Sequence, residues 1–144
     1  MEKARGKVEY IRSIIDEVKF RRDNFKGNQI IVRERNSIGQ NKEQNTLRFS
    51  LKCEISSKGQ EQPFFEVEIH SFFKADFMFG LSSKEIQEAI WDDEALKNGI
   101  ANPTADWLLN VFSNTTSWGL GRPISLNRSD LTKGLFIKSS KASD

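Results

Sequence analysis

Thr46-Leu-Arg-Phe-Ser-Leu-Lys-Cys-Glu-Ile-Ser56 decides the architecture. Leu47, Phe49, Leu51, Cys53 and Ile55 alternate without error against Arg48, Ser50, Lys52, Glu54 and Ser56, which is the period of a strand with one buried and one wet face. Ser57-Lys-Gly-Gln-Glu-Gln-Pro63 supplies turn residues, and residues 64–73 return with Phe65, Val67 and Ile69 set against Phe64, Glu66, Glu68 and His70. The two segments read as an antiparallel hairpin. Upstream, residues 10–22 read as a strand in which Ile14, Val18 and Phe20 share one side, opposed by Ile11, Ser13, Ile15, Glu17 and Lys19. Phe25-Lys-Gly-Asn28 makes a turn, residues 29–35 form a short second strand, and residues 36–45 read as a polar loop.

Downstream of Leu81 the period changes. Ser82 followed by Glu85 is a capping box, and Ile86, Ala89 and Ile90 give the stripe of a helix expected to end near Asn98-Gly99. Asn102-Pro103 reads as the start of a second helix, with the stripe Trp107, Leu108, Val111 and Phe112, ending at the glycines and proline of Trp118-Gly-Leu-Gly-Arg-Pro123. Ile124-Ser-Leu126 reads as a short extended piece. Four strands followed by two helices predict an α+β fold with an antiparallel sheet. The expectation is a single domain over residues 9–127, with 1–8 and 128–144 as flexible termini; the latter carry one apolar knot, Leu135-Phe-Ile137.

The 144 residues suit one domain with one principal core. Hydrophobic residues make up 37% and charged residues 29% of the chain, with a mean hydropathy of −0.56; this is lean, yet enough for a core. A formal charge of +2 is too balanced to argue for a nucleic-acid or membrane footprint, and no nucleic-acid partner is expected. Neither a secretory leader nor a spanning segment is visible, so direct membrane insertion is not expected and a cytoplasmic location is. One cysteine excludes an internal disulfide framework, and one cysteine with one histidine excludes a conventional zinc site. No cofactor and no metal site are expected.

Little in the sequence points to catalysis. His70 lies on the polar side of its strand with neither nucleophile nor orienter in view, and Cys53 sits on the buried side of the best strand. Gly119-Leu-Gly121 follows a helix, where a phosphate-binding loop must precede one. Asp92-Asp-Glu94 reads as a solvated helix face, and the basic group Lys19, Arg21, Arg22, Lys26, Arg33 and Arg35 as a solubilising cluster, with an anionic partner as the alternative. The informative excess is aromatic: 11 Phe and 3 Trp. Adjacent pairs such as Phe64-Phe65 and Phe72-Phe73 point to opposite faces of a strand. The load exceeds what one sheet face needs, so an oligomer interface or a surface for apolar segments of other chains is expected.

Arg12-Ser-Ile-Ile-Asp-Glu-Val-Lys-Phe20, the hairpin of residues 46–69, and Asn102-Pro-Thr-Ala105 leading through a Gly/Pro loop to Ile124-Ser-Leu-Asn127 together resemble the SecB protein-export chaperone family over residues 10–127. The resemblance implies a SecB-like α+β fold, with a four-stranded antiparallel sheet followed by two helices. It implies a non-enzymatic, ATP-independent holdase built as a homotetramer, a dimer of dimers, that grips unfolded polypeptides in apolar grooves. The groove candidates are Ile30, Val32, Phe72, Phe77, Phe79 and Trp118. Trp107, Val111 and Phe112 are the candidates for the oligomer interface. Glu17 and Glu68 fall where the family binds the motor SecA, although Arg21 stands where another carboxylate is usual. Asp106 replaces the arginine of the family's Pro-x-Ala-Arg helix, and the C-terminal helix is reduced to a Lys/Ser-rich stub. These departures leave three roles open: export, a dedicated chaperone for an antitoxin in a toxin–antitoxin system, and a non-chaperone interaction module. A small-ligand protein with an aromatic pocket is a further rival.

Overall fold

The computed structural model describes residues 8–27, 29–41, 43–75, 81–124 and 126. Four strands, β1 (Glu9–Phe20), β2 (Ile30–Asn41), β3 (Thr46–Ser57) and β4 (Phe65–Lys74), precede two helices, α1 (Ser83–Trp91) and α2 (Glu94–Leu120). The sheet is antiparallel with order β1-β4-β3-β2, so the hairpin of β3 and β4 is central and β1 and β2 are its edges. This is the expected α+β architecture, reached because the only strict alternation in the chain belongs to the two central strands. Leu47, Phe49, Leu51, Cys53 and Ile55 of β3 and Phe65, Val67, Ile69 and Phe73 of β4 are all buried on the side that the helices cover.

Several boundaries differ from the sequence reading. β2 does not stop at Arg35 but continues through the supposed polar loop, pairing Asn36 with Leu51, Ile38 with Phe49 and Asn41 with Thr46. An edge strand needs only its backbone to pair, so polar side chains at 36, 37 and 40 do not end it. In β1 the simple parity fails because the register shifts twice, between Tyr10 and Arg12 and between Ile15 and Glu17. As a result Tyr10, Ser13, Ile15, Val18 and Phe20 stand opposite the inward residues of β4, while Ile14 stands opposite His70 on the outer face. Each bulge adds one residue and flips the sides for all that follow.

The helices are also redistributed. The capping box is as read: Ser82 Oγ accepts from the Glu85 amide at 3.1 Å, and the Ser82 amide donates to Glu85 Oε1 at 2.9 Å. The first helix, however, ends at Trp91, because Asp93 takes an extended conformation and caps a new helix, its Oδ1 accepting from the Leu96 amide at 3.1 Å. Asp92-Asp-Glu94 is therefore a helix junction, not a solvated helix face. Asn98-Gly99 and Asn102-Pro103, read as a stop and a start, both lie inside the 27-residue α2. The buried stripe Leu96, Ile100, Ala101, Thr104, Ala105, Leu108, Phe112 and Thr116 runs straight through them, and continuous burial outweighs the helix cost of one glycine and one proline. The helix runs on through Trp118 and Gly119 to Leu120, and Gly121 ends it in the left-handed region at φ 84°.

A chain of hydroxyls seats α2 on the sheet. Ser13 Oγ lies 2.7 Å from Ser71 Oγ, which lies 2.8 Å from Thr104 Oγ1, so β1, β4 and α2 share one buried polar line. It continues outward through Ser13 to Tyr10 Oη at 2.8 Å, which accepts from Trp107 Nε1 at 3.1 Å. Val8, assigned by sequence to a flexible lead-in, packs against the core. The Ile124 amide donates to Thr116 Oγ1 at 2.9 Å. Ser125, residues 1–7 and the tail with its Leu135–Ile137 knot lie outside the described residues.

Candidate polypeptide-binding surface

The apolar surface left over by the core runs along edge strand β1 and the neighbouring side of α2. Tyr10 and Val18 are each about two-fifths exposed, as is Trp107, Ile11 is about half exposed and Trp118 is 90% exposed, while Ile14, also two-fifths exposed, lies on the outer face of the same edge. Positions 107, 111, 114 and 118 recur at i, i+4, i+7 and i+11, which places Trp107, Val111, Asn114 and Trp118 on one helix stripe. Eleven residues of helix span about 17 Å, enough for roughly five residues of extended chain at about 3.3 Å each. Trp107 meets β1 at Tyr10. At the other end Phe20, Asn114, Thr115, Trp118 and Gly119 line an open groove of about 440 Å³.

Phe20 forms the groove floor. Its ring packs edge-on against Phe64 at 6.4 Å, and Phe64 in turn meets Phe25 at 4.9 Å and Phe112 at 6.2 Å. Gly119 permits this arrangement, since a Cβ at that position would run into the Phe20 ring. Gly119→Ala is therefore expected to displace the half-buried ring while leaving the fold intact, because alanine regains about 1 kcal/mol of helix propensity. The check is a melting temperature close to that of the unsubstituted chain together with loss of ligand binding at the groove.

The sequence-derived candidates do not form one surface. Trp118 lies at the β1 edge, whereas Ile30 and Val32 are half-buried on the helix side of β2, the opposite edge. Phe72 faces outward under the Arg12 guanidinium, 5.3 Å from its ring centre. Phe77 and Phe79 lie outside the described residues. Of the interface candidates, Trp107 and Val111 share the Trp118 stripe, but Phe112 is fully buried within the protomer, 4.9 Å from the Phe65 ring. Its ring belongs to the core, which removes it from any contact between subunits. Tyr10, Val18, Phe20 and Gly119 went unread as site residues. For the three β1 residues the signal was the surplus of apolar residues in that strand; Gly119, in α2, carried none.

Glu17 and Glu68 stand directly opposite each other across β1 and β4 on the outer face. Glu17 pairs with Lys19 at 3.6 Å and Arg21 with Glu66 at 2.9 Å. Cys53 is buried, and burial, with the Glu34 and Glu54 carboxylates adding to it, pushes its thiol far up, so it stays protonated and inert. Glu34 lies opposite Cys53 on the helix side of β2 with Oε2 buried and unpartnered. Burial raises its pKa from 4.5 to about 7. Folding therefore disfavours the charged form, and stability falls as pH rises from 4.5 through 7. Glu34→Gln is expected to raise the melting temperature at pH 8 and to leave it nearly unchanged at pH 4.5, in parallel thermal scans.

No protein-family profile and no curated protein matches the sequence. Among solved structures the fold is similar to the Mycobacterium tuberculosis SecB-like chaperone in complex with a ChAD peptide from the HigA1 antitoxin, with a TM-score of 0.57 and 11% identity over 86% of this chain and 87% of that one. It is also similar to a protein of unknown function from Streptococcus agalactiae, with a TM-score of 0.51 and 9% identity over 86% of this chain and 99% of that one. The four-stranded antiparallel sheet followed by two helices is the SecB-like fold.

Proposed function

We propose that the protein is a SecB-like chaperone that holds non-native polypeptide without nucleotide, and that its client is an aggregation-prone segment of the antitoxin kind. One observation carries this reading: a tryptophan 90% exposed on a helix stripe that ends beside an open aromatic groove. Isolated exposed apolar residues are ordinary, but a contiguous band along a sheet edge marks an interaction surface. Bound segments gain roughly 25 cal/mol for each Å² of apolar area removed from water. Fold likeness to a chaperone bound to an antitoxin peptide supports the same reading. The export role draws on Glu17 and Glu68, and the ion pair that Arg21 makes with Glu66 lessens the charge reversal expected there.

Titration of a fluorescently labelled, permanently unfolded polypeptide tests the proposal. Saturable binding without nucleotide, competed by an antitoxin-type apolar segment and not by folded protein, is expected. A chain that binds one folded partner and ignores unfolded ones is an interaction module instead.

The working unit is a homotetramer assembled from dimers. β1 is a long edge with free backbone groups and exposed Ile11, Ile14 and Val18, a feature that proteins usually cover. Trp107 and Val111, at the end of the stripe away from the groove, offer a second contact on α2 and leave the Trp118 end to the client. Replacing both by Ser should shift the mass measured by light scattering from tetramer to dimer with the circular dichroism spectrum unchanged. A monomer at tens of micromolar before any substitution contradicts the assembly.

A further inference from the structure

The outer face of the sheet holds a side-chain constellation that polypeptide binding does not use. Between Ile15 and Glu17 the register of β1 against β4 shifts, so Ile15 stands opposite Ile69, Glu17 stands opposite Glu68, and Asp16 is the extra residue. Such a bulge sets two consecutive residues against one partner and re-aims their side chains. Here it brings Asp16 beside Glu68, and His70, two residues further along the same side of β4, completes the set. One carboxylate oxygen each from Asp16 and Glu68 and one ring nitrogen of His70 lie within 4.8 Å of one another.

The imidazole is held from behind. Its Nδ1 lies 2.7 Å from Ser50 Oγ on β3, and its Nε2 lies 3.1 Å from Glu68 Oε2. With Nδ1–H donating to the serine, the Nε2 lone pair points at the carboxylates, and metal-bound histidines are oriented by this kind of partner on the second nitrogen. In the other neutral tautomer Nε2–H donates to Glu68 Oε2 while Nδ1 accepts from the serine hydroxyl, and a metal at Nε2 would take the place of that proton. The surroundings favour positive charge: Glu17 directly opposes Glu68, and like charges in that position are destabilising. Lys19 engages Glu17, Lys52 stands opposite Glu68 from β3, and Asp16 makes no ion pair among the described residues.

We propose that Asp16, Glu68 and His70 form a divalent transition-metal site that pins edge strand β1 to β4, with Ser50 as its positioning residue. One nitrogen and two oxygens match zinc or manganese, whereas magnesium and calcium take all-oxygen sets. The remaining positions are open to water. The site lies on the opposite side of the sheet from the helices and so is independent of client binding at the Trp118 groove; Glu68 is shared only with the export role.

Calorimetric titration of Zn²⁺ into the untagged, chelator-stripped full chain tests it. The expected result is one equivalent per chain, a rise in melting temperature with metal, and no response to Mg²⁺ at the same concentration. His70→Ala and Asp16→Asn should each weaken Zn²⁺ at least tenfold, and Ser50→Ala about tenfold or more, by loss of ring orientation. Ser50→Ala should do so with the metal-free melting temperature unchanged, which a merely structural serine would not. Glu61→Gln, in the turn between β3 and β4, should bind as the unsubstituted chain does. Absence of saturable Zn²⁺ binding at 100 micromolar, on the order of the weakest useful site, overturns the proposal. So does equal affinity in His70→Ala, which would mean scattered carboxylates hold the ion.

Discussion

Phe112→Ala is expected to destabilise the protomer by about 3–5 kcal/mol, the range for a large aromatic removed from a packed core. Phe112 is fully buried, with its ring 4.9 Å from Phe65 and 6.2 Å from Phe64. Since Phe64 also joins Phe20 and Phe25, the cavity would open at the centre of an aromatic cluster that links the hairpin, β1 with the segment after it, and the long helix. Domains of this size hold only about 5–15 kcal/mol of net stability, so the loss is a large share of the total. Urea unfolding measures it, and repeating the titration at two protein concentrations separates core from interface. A residue in the protomer core lowers the midpoint equally at both concentrations. A residue between subunits, the role that the sequence assigns to Phe112, lowers it in a concentration-dependent way.

Trp118→Ala should do the reverse. With 90% of the side chain in water, the substitution should change unfolding free energy by no more than about 0.5 kcal/mol. If the groove beside Phe20 is where client chain docks, the same change removes an aromatic anchor. Truncating such anchors costs about 2 kcal/mol or more of binding, roughly thirtyfold in affinity. Fluorescence anisotropy with a labelled unfolded polypeptide reads the affinity, and thermal melting reads the stability. Equal affinities would place the client elsewhere, with Ile30 and Val32 at the other edge as the next surface to test.

The contrast between these two residues shows what a sequence yields. Strict alternation from Leu47 to Ile55 was decisive because both faces of a central strand are specified, one by the core and one by water. The Ser82 and Glu85 capping box was equally plain, being a local hydrogen-bond pattern. What failed was whatever depends on distant partners. Asn98-Gly99 and Asn102-Pro103 carry local stop and start chemistry, yet the buried stripe of α2 carries the helix past both. The two β1 bulges invert the parity on which the side of Ile14 was judged, and nothing within β1 announces them. Phe112 and Trp118 look alike as apolar members of one helix. They differ only because 112 falls on the stripe over Phe64 and Phe65, while 118 falls on the stripe of Trp107 and Val111 and leaves its ring in water. The acid and imidazole cluster of Asp16, Glu68 and His70 was illegible for the same reason: a bulge brings together residues more than fifty positions apart.

The measurement closest to the central claim is light scattering from an unrelated denatured polypeptide diluted into buffer with and without the protein, in the absence of nucleotide. Suppressed scattering at severalfold molar excess, markedly reduced for Trp118→Ala at an unchanged melting temperature, is the predicted result. Unchanged scattering from a chain whose melting curve shows it to be folded would contradict the account.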